Sequence, residues 1–361
     1  MKLPRTDYVK NITYFKYMNR KHFLSTLLTT GVGVTTLSSF TGSGLSIFPA
    51  DKPEHSNPPY LQPGDVIGIT CPAGYIKRED IQPAIRILES WNFRVRIGKT
   101  VGARDFTFGG TDEERRADLQ QMLDDKKIKA IMCARGGYGT ARIIDQLDFT
   151  HFKSHPKWVI GFSDITVLHC HISRHFGISS LHSKMCNSFP DDFSKAEPIV
   201  QDTIMSIYQA LTGKKMKYSA PADSRNRLGQ ARGILTGGNL SIIQGMSGTD
   251  SEIETNGKIL FLEETGEYLY NLDRLLGTLQ RSHKLDNLAG LIIGGFNKIK
   301  PDDPGEEFGR TVYDMVMEKV KKFRYPVCFN FPVGHQKNNY ALKCGAMHTL
   351  NVTRDGVTLQ E

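Results

Sequence analysis

The chain has no Cys-x-x-Cys pair, no block of lysine and arginine, no internal repeat and no apolar run of membrane-spanning length. Each absence removes a class of function. The six cysteines, Cys71, Cys133, Cys170, Cys186, Cys328 and Cys344, stand singly, several of them in apolar runs. There a thiol behaves as a small hydrophobe, so free buried thiols are expected rather than a disulfide framework or a structural zinc site. His169 and His171 flank Cys170, but residues two apart on a helix face away from one another, which argues against a metal pair. No metal and no cofactor is expected. The net charge of +8 is no nucleic-acid signature: residues 1–55 hold seven Lys/Arg against three Asp/Glu, about half of the excess. The rest is dispersed, with no interleaving of basic and aromatic residues. It still suits an anionic substrate such as a peptide with free carboxylates. With 361 residues, 39% of them hydrophobic, the chain is long enough to bury a large core without covalent staples.

The first 50 residues do not read as part of the fold. Asn19-Arg20-Lys21-His22-Phe23-Leu24 precedes a mildly apolar, Thr/Gly/Ser-rich stretch, 25–40, without acids. A basic region, a short apolar region and small residues such as Ser43 and Gly44 make an export leader. Arg20-Lys21-x-Phe23-Leu24 resembles a twin-arginine signal with lysine in the second position, which points to the periplasm, with a cytoplasmic chain as the alternative. Met18 fits as the start of that leader, since 1–14 matches no signal scheme. The stretch is too short and too polar for a stable membrane span. Segment 51–63, with Pro53, Pro58, Pro59 and Pro63, reads as a linker.

The body begins as an α/β protein. Segment 65–70 is a buried strand, 81–91 has helical spacing, and 93–97 returns to strand. Segment 111–126 is a helix with Thr111 as cap and Glu114 completing a capping box. Strands follow at 129–134 and 158–162, with a helix at 141–147 between them. Strand and helix alternating at this pace give a parallel sheet with helices on both faces. Beyond about 189 the texture changes. Segment 191–217 is polar-helical and then loop-like, and 218–227 reads as a crossing between domains. Strands at 258–263, 290–296 and 349–352 then mix with helices at 270–280 and 311–323. The expected domains are 64–217 and 218–361, the second a smaller α+β unit.

Four segments carry candidate chemistry. Gly161-Phe162-Ser163-Asp164 lies between a strand and a helix start, where backbone amides are free to hold an oxyanion. It resembles a nucleophile elbow without the second glycine, and Ser163 also fits a simple helix cap. Ala134-Arg135-Gly136-Gly137-Tyr138-Gly139 follows a strand and matches neither G-x-G-x-x-G nor a P-loop, so it is an oxyanion loop or a plain turn. Leu260-Phe261-Leu262-Glu263-Glu264 ends a strand in two carboxylates. Phe331-Pro332-Val333-Gly334-His335 sets a histidine in a loop. Together Ser163, Glu263 and His335 form the constellation that nucleophilic acyl transfer requires.

With Gly237-Gly238-Asn239-Leu240-Ser241, these motifs resemble, in order and over about 61–349, those of LD-carboxypeptidases (muramoyltetrapeptide carboxypeptidases, serine peptidase family S66). The resemblance implies that Ser163 attacks the bond between an L-centre and a C-terminal D-amino acid. His335 is the implied base, Glu263 its orienting acid, and the amides of Gly137 and Asp164 the oxyanion hole. Arg135 and Asn239 are implied to hold a murein peptide. The implied fold is an N-terminal parallel α/β domain and a smaller C-terminal domain with the site between them, often in a homodimer. Two departures stand out. The family usually has Gly-Pro where this chain has Ser183-Lys184 after His182, and an Asp where it has Glu264, which leaves Glu264 a candidate for the acid. Two other readings stand beside this one: a microcin-immunity-like peptidase of the same family, and a non-catalytic exported peptide-binding protein.

Overall fold

The computed structural model describes residues 55–361, so the leader and the start of the linker lie outside the described residues. The proline-rich segment is tied to the body wherever it is described. Ser56 N–H donates to Gly177 O at 2.9 Å, Leu61 is 1% exposed, and the Trp158 indole N–H donates to Pro59 O at 3.1 Å.

The first half alternates strand and helix: β1 (Val66–Thr70), α1 (Gln82–Ser90), β2 (Arg94–Ile97), α2 (Asp112–Asp124), β3 (Ile128–Cys133) and α3 (Thr140–Ile143). It continues through α4 (Thr150–Ser154), β4 (Trp158–Gly161), α5 (Thr166–Phe176), β5 (Ser180–His182) and α6 (Pro198–Leu211). The capping box on α2 forms as its sequence predicts: Thr111 Oγ accepts from Glu114 N–H, and Glu114 Oε2 accepts from Thr111 N–H. The second half holds β6 (Lys217–Ala220), β7 (Gly229–Asn239), α7 (Leu240–Gly245), β8 (Ile259–Thr265), α8 (Leu269–Arg281), β9 (Gly290–Asn297), α9 (Val312–Lys319) and β10 (Val327–Cys328). β11 (Leu342–Cys344), β12 (Met347–Val352) and β13 (Val357–Gln360) complete it.

Two sheets result. One runs β11-β5-β4-β3-β1-β2, parallel except for β11, which returns from the second half to pair antiparallel with β5. The other runs β10-β9-β8-β7-β12-β13-β6. Its strands β7 to β10 are parallel and the remainder antiparallel, so the second half builds a seven-stranded mixed sheet. Neighbouring residues along one strand enter different cores: Val159 joins one cluster, while Trp158 and Ile160 join the other. The same holds for Leu260 and Phe261, and each cluster takes residues from both sheets. That continuity ties the sheets to one another. Among the described residues no helix is long and apolar enough to cross a membrane.

Candidate active site

Both sheets present the carboxyl ends of their parallel strands to one place, where ligands of open α/β sheets bind. From the first sheet, β4 ends at Gly161 and the chain turns at once into a short 3₁₀ segment (Ser163–Ile165) and then α5. The turn is tight because a Cβ on Gly161 would come within 2.9 Å of the Ile165 side chain. Ser163 takes φ 63°, a left-handed conformation that costs a non-glycine residue free energy and that places its hydroxyl at the sheet edge. Ser163 Oγ lies 3.3 Å from the point a Cβ on Gly136 would occupy, so the loop after β3 runs directly beside it. Its Oγ makes no hydrogen bond with another described residue.

That loop is braced from below. Arg115, fully buried on α2, donates to Gly139 O at 2.8 Å and to Pro72 O, and pairs with Asp112. Gly74 N–H donates to Gly136 O at 3.0 Å. Asp164, 1% exposed, accepts from Thr140 N–H at 2.9 Å, and its burial pushes its carboxyl pKa up. Arg135 is exposed, with its guanidinium anchored to Tyr75 O at 2.8 Å. Gly137 is exposed with φ 107°. The segment after β5 crosses the same edge: Ser183 N–H donates to Gly161 O and Asn187 N–H to Ala134 O, both at 3.1 Å.

From the second sheet and the loop after β10 come Glu263 and His335. β8 carries Glu263, and its pairing with β9 slips between Leu262 and Glu264, leaving Gly294 and Gly295 as a bulge opposite. The histidine loop docks on that bulge: Phe331 N–H donates to Ile293 O and Gly295 N–H to Val333 O. A Cβ on Gly294 would meet Val333 O at 2.5 Å, which is why glycine stands there. Gly334 takes φ 100° and passes so close that a Cβ would lie 2.4 Å from Glu263 Cβ. The next residue, His335, therefore sits over Glu263. Its Nδ1 is 2.6 Å from Glu263 Oε2, and its backbone N–H donates to the same oxygen at 3.2 Å. Glu263 is 0% exposed. Burial favours the neutral imidazole, but the Glu263 hydrogen bond and charge, with Glu264 behind them, hold its pKa above the ordinary 6.5. The ring packs on Phe162, the residue before Ser163, with centroids 4.9 Å apart.

Glu264 is engaged elsewhere. It accepts from Asn239 Nδ2 (2.9 Å), Ser241 N–H (2.7 Å) and Thr265 N–H (2.8 Å), so its two oxygens hold the start of α7 and do not reach the imidazole. Asn239 is the cap of α7, accepting from Ile242 N–H at 3.1 Å, and its own N–H donates to Thr166 Oγ1 at 3.1 Å. It joins the sheets immediately behind Ser163, with its side chain committed to the protein. Sequence reasoning did not single out Arg115, Phe162 or Lys298. A charged residue on the apolar side of α2 was the one signal for Arg115. Buried His182 was noted only as part of a motif. It packs on Phe162 and Phe261 with neither ring nitrogen hydrogen-bonded, and burial holds it neutral.

The LD-carboxypeptidase N-terminal domain matches residues 67–183, and the LD-carboxypeptidase C-terminal domain matches 232–350. A probable murein peptide carboxypeptidase of Bacillus subtilis is 30% identical over 84% of this chain and 94% of its own length. A murein tetrapeptide carboxypeptidase of Pseudomonas aeruginosa is 29% identical over 80% of this chain and 94% of its own length. The microcin C7 self-immunity protein of Escherichia coli is 24% identical over 83% and 94%. Among solved structures, muramoyltetrapeptide carboxypeptidase from Oxalobacter formigenes superposes with a TM-score of 0.72 at 27% identity, over 82% of this chain and 98% of that one. The matched domains bracket Ser163 on one side and Glu263 with His335 on the other, and on this evidence the chain belongs to the LD-carboxypeptidase family.

Proposed function

We propose that the chain is a serine carboxypeptidase that cleaves the L,D bond before a C-terminal D-alanine in murein tetrapeptides. The observation that carries this reading is the 2.6 Å contact between His335 Nδ1 and buried Glu263, with the ring packed beside the Ser163 turn. With Nδ1–H held by Glu263, Nε2 is left free to act as a base. Ser163 Oγ attacks the peptide carbonyl and passes its proton to His335 Nε2. The oxyanion is received by the amides of Asp164 and Gly137. The imidazolium then protonates the departing amine, D-alanine leaves, and water enters by the reverse sequence to free the serine. Arg115 and the Thr140–Asp164 contact keep the two amide-bearing loops in place, so no reorganisation is needed when charge develops.

Stereochemistry sets the expected specificity. The attacked carbonyl belongs to an L-centre, and a D-centre there would point it away from Ser163. Misplacing a reacting carbonyl by about 1 Å costs on the order of 10² in rate. Purified protein should therefore release D-alanine from L-Ala-γ-D-Glu-diamino acid-D-Ala and leave the D-Ala-D-Ala end of the pentapeptide intact, as read by mass spectrometry. Release from the pentapeptide alone would overturn the L,D assignment. The leader-like segment 19–40 supports work outside the cytoplasm, on envelope or released peptides. N-terminal sequencing of a C-terminally tagged chain after cell fractionation should find the periplasmic form beginning beyond residue 40. A cytoplasmic chain that still carries 20–40 would remove the export part and leave the chemistry untouched.

A further inference from the structure

A carboxypeptidase has to recognise the free carboxylate of the residue it releases. In that residue the carboxylate is attached to the same carbon as the amine, so it lies within a few ångströms of the group that protonates the amine. A cation serving it belongs beside the histidine rather than beside the serine.

Lys298 meets that requirement. It follows β9, and the side chain just before it, Asn297, donates to the backbone carbonyl of His335 at 2.6 Å. Its backbone is left-handed, φ 53°, although it is not glycine. The stretch is fastened on both sides: Gly266 N–H donates to Asn297 O and Lys300 N–H to Glu267 O, each at 3.0 Å. An unfavourable backbone conformation held this firmly is of the kind that gathers at working sites. Lys298 is exposed and makes no hydrogen bond or ion pair among the described residues, unlike Lys300, which lies over the Tyr268 ring. Its charge is felt at the His335 imidazole, where it opposes protonation. The other cations near the site are placed otherwise: Arg135 stands on the opposite loop and spends a guanidinium nitrogen on Tyr75 O, Lys337 pairs with Glu197 at 2.6 Å, and Lys184, 8% exposed, lies on the segment after β5 on the serine side.

We infer that Lys298 binds the terminal carboxylate of the scissile D-amino acid and so makes the site an exopeptidase. This rests on the carboxypeptidase reading of the Ser163–His335 site. An ammonium already close to the leaving group meets its anion at no further cost in ordering the chain, and a charge-assisted contact of this kind discriminates acid from amide.

The test compares two acid–amide substrate pairs and three proteins. The peptides are L-Ala-γ-D-Glu-diamino acid-D-Ala as the free acid and as its C-terminal amide. They are accompanied by acyl dipeptides ending in D-Ala, again as acid and amide. The proteins are wild type, Lys298→Met, which keeps length and loses charge, and Lys298→Arg. Wild type should prefer acid over amide by about 10–10² in kcat/KM, the range expected of one charge-assisted hydrogen bond. Assayed at a pH well above the acid limb, Lys298→Met should lose that preference by slowing on the acid alone, with an unchanged melting temperature, and Lys298→Arg should recover most of it. Equal slowing on acid and amide, or no slowing, would overturn the assignment. Wild-type cleavage of acyl dipeptides but not of the murein peptide would overturn the murein reading, while the acid-to-amide ratio still decides Lys298. A wild type that cleaves no acid in the set overturns both.

Discussion

Ser163→Ala is expected to lower kcat by roughly 10⁴–10⁶ while leaving the chain folded, the loss typical when a nucleophile that works with a base and an acid is removed. The size follows from what remains. Without Oγ no covalent intermediate forms, and only the oxyanion amides and substrate positioning act on a water molecule. Folding should survive because alanine keeps the Cβ that already stands in the left-handed turn and removes a hydroxyl with no protein partner. Ser163→Gly gives an independent reading of the same turn. Glycine adopts φ 63° without penalty, so this variant should be as inactive as the alanine form and melt slightly higher. Thermal unfolding of the two variants beside a muropeptide assay settles both points. Activity of Ser163→Ala within about tenfold of wild type would take Ser163 out of the mechanism, whatever its backbone angle.

Much of the first half was legible because local signals agree there. Segment 111–126 carries a capping box and an apolar face, and it folds as α2 with the box formed. The β-branched runs before Cys71 and Ala134 become β1 and β3. The second half was harder for reasons that are also local. β7 is an eleven-residue strand holding Gly229, Gly233, Gly237 and Gly238, and glycine normally argues against strand. Those glycines serve close approach: a Cβ on Gly237 would meet Phe261 O at 2.0 Å, and one on Gly238 would meet Thr166 Oγ1 at 2.4 Å. No periodicity rule detects a neighbour that is distant in sequence. β5 has three residues and β10 two, too few to show a pattern. β11 belongs to the first sheet although it follows the histidine loop, a return crossing that no linear division of the chain anticipates.

The candidate site was legible as residue types and not as geometry. Ser163 and Glu263 stood at strand ends and His335 in a glycine-containing loop, yet two adjacent carboxylates are equivalent on paper. What separates them is the alternation of β8. Glu263 and Glu264 leave the strand on opposite faces, one toward Gly334 and His335, the other toward Asn239 and the start of α7. The bulge at Gly294 and Gly295, which lets the histidine loop settle over Glu263, had no signal beyond a Gly-Gly pair. Lys298 had none at all, because its position depends on a backbone angle.

Glu263→Gln is the variant in which the acid assignment, the histidine and its protonation are tested together, and kcat is expected to fall by about 10²–10⁴, less than for Ser163→Ala. A glutamine can still turn its oxygen toward His335 Nδ1–H, so orientation is partly kept while the charge that stabilises the imidazolium is lost. Its amide NH₂ would then occupy the place of Oε1, which is buried without a partner, an added cost of an unsatisfied donor. The pH profile supplies a second readout. In the proposed mechanism His335 must be neutral to accept the Ser163 proton, and its pKa in the folded protein lies above 6.5. Wild-type kcat/KM should therefore fall as pH drops through that raised value, giving an acid limb above 6.5. Removing the Glu263 charge leaves burial, which favours the neutral ring, less opposed, so the acid limb of the variant should move to lower pH. The same reasoning predicts the reverse movement for Lys298→Met, which removes a charge that opposes protonation. Buried His169, held near a pKa of about 4, and His182, held well below 6.5, stay neutral across this window and add no limb of their own. Glu264→Gln should cost stability at the start of α7 and move the acid limb to lower pH by less than Glu263→Gln does, since Glu264 acts on His335 through its charge alone. Ser163→Ala combined with His335→Ala should be barely slower than either alone, since neither group works without the other. Additive losses, or an acid limb that stays in place in Glu263→Gln and moves in Glu264→Gln, would assign the acid to Glu264 and release His335 from the role of base.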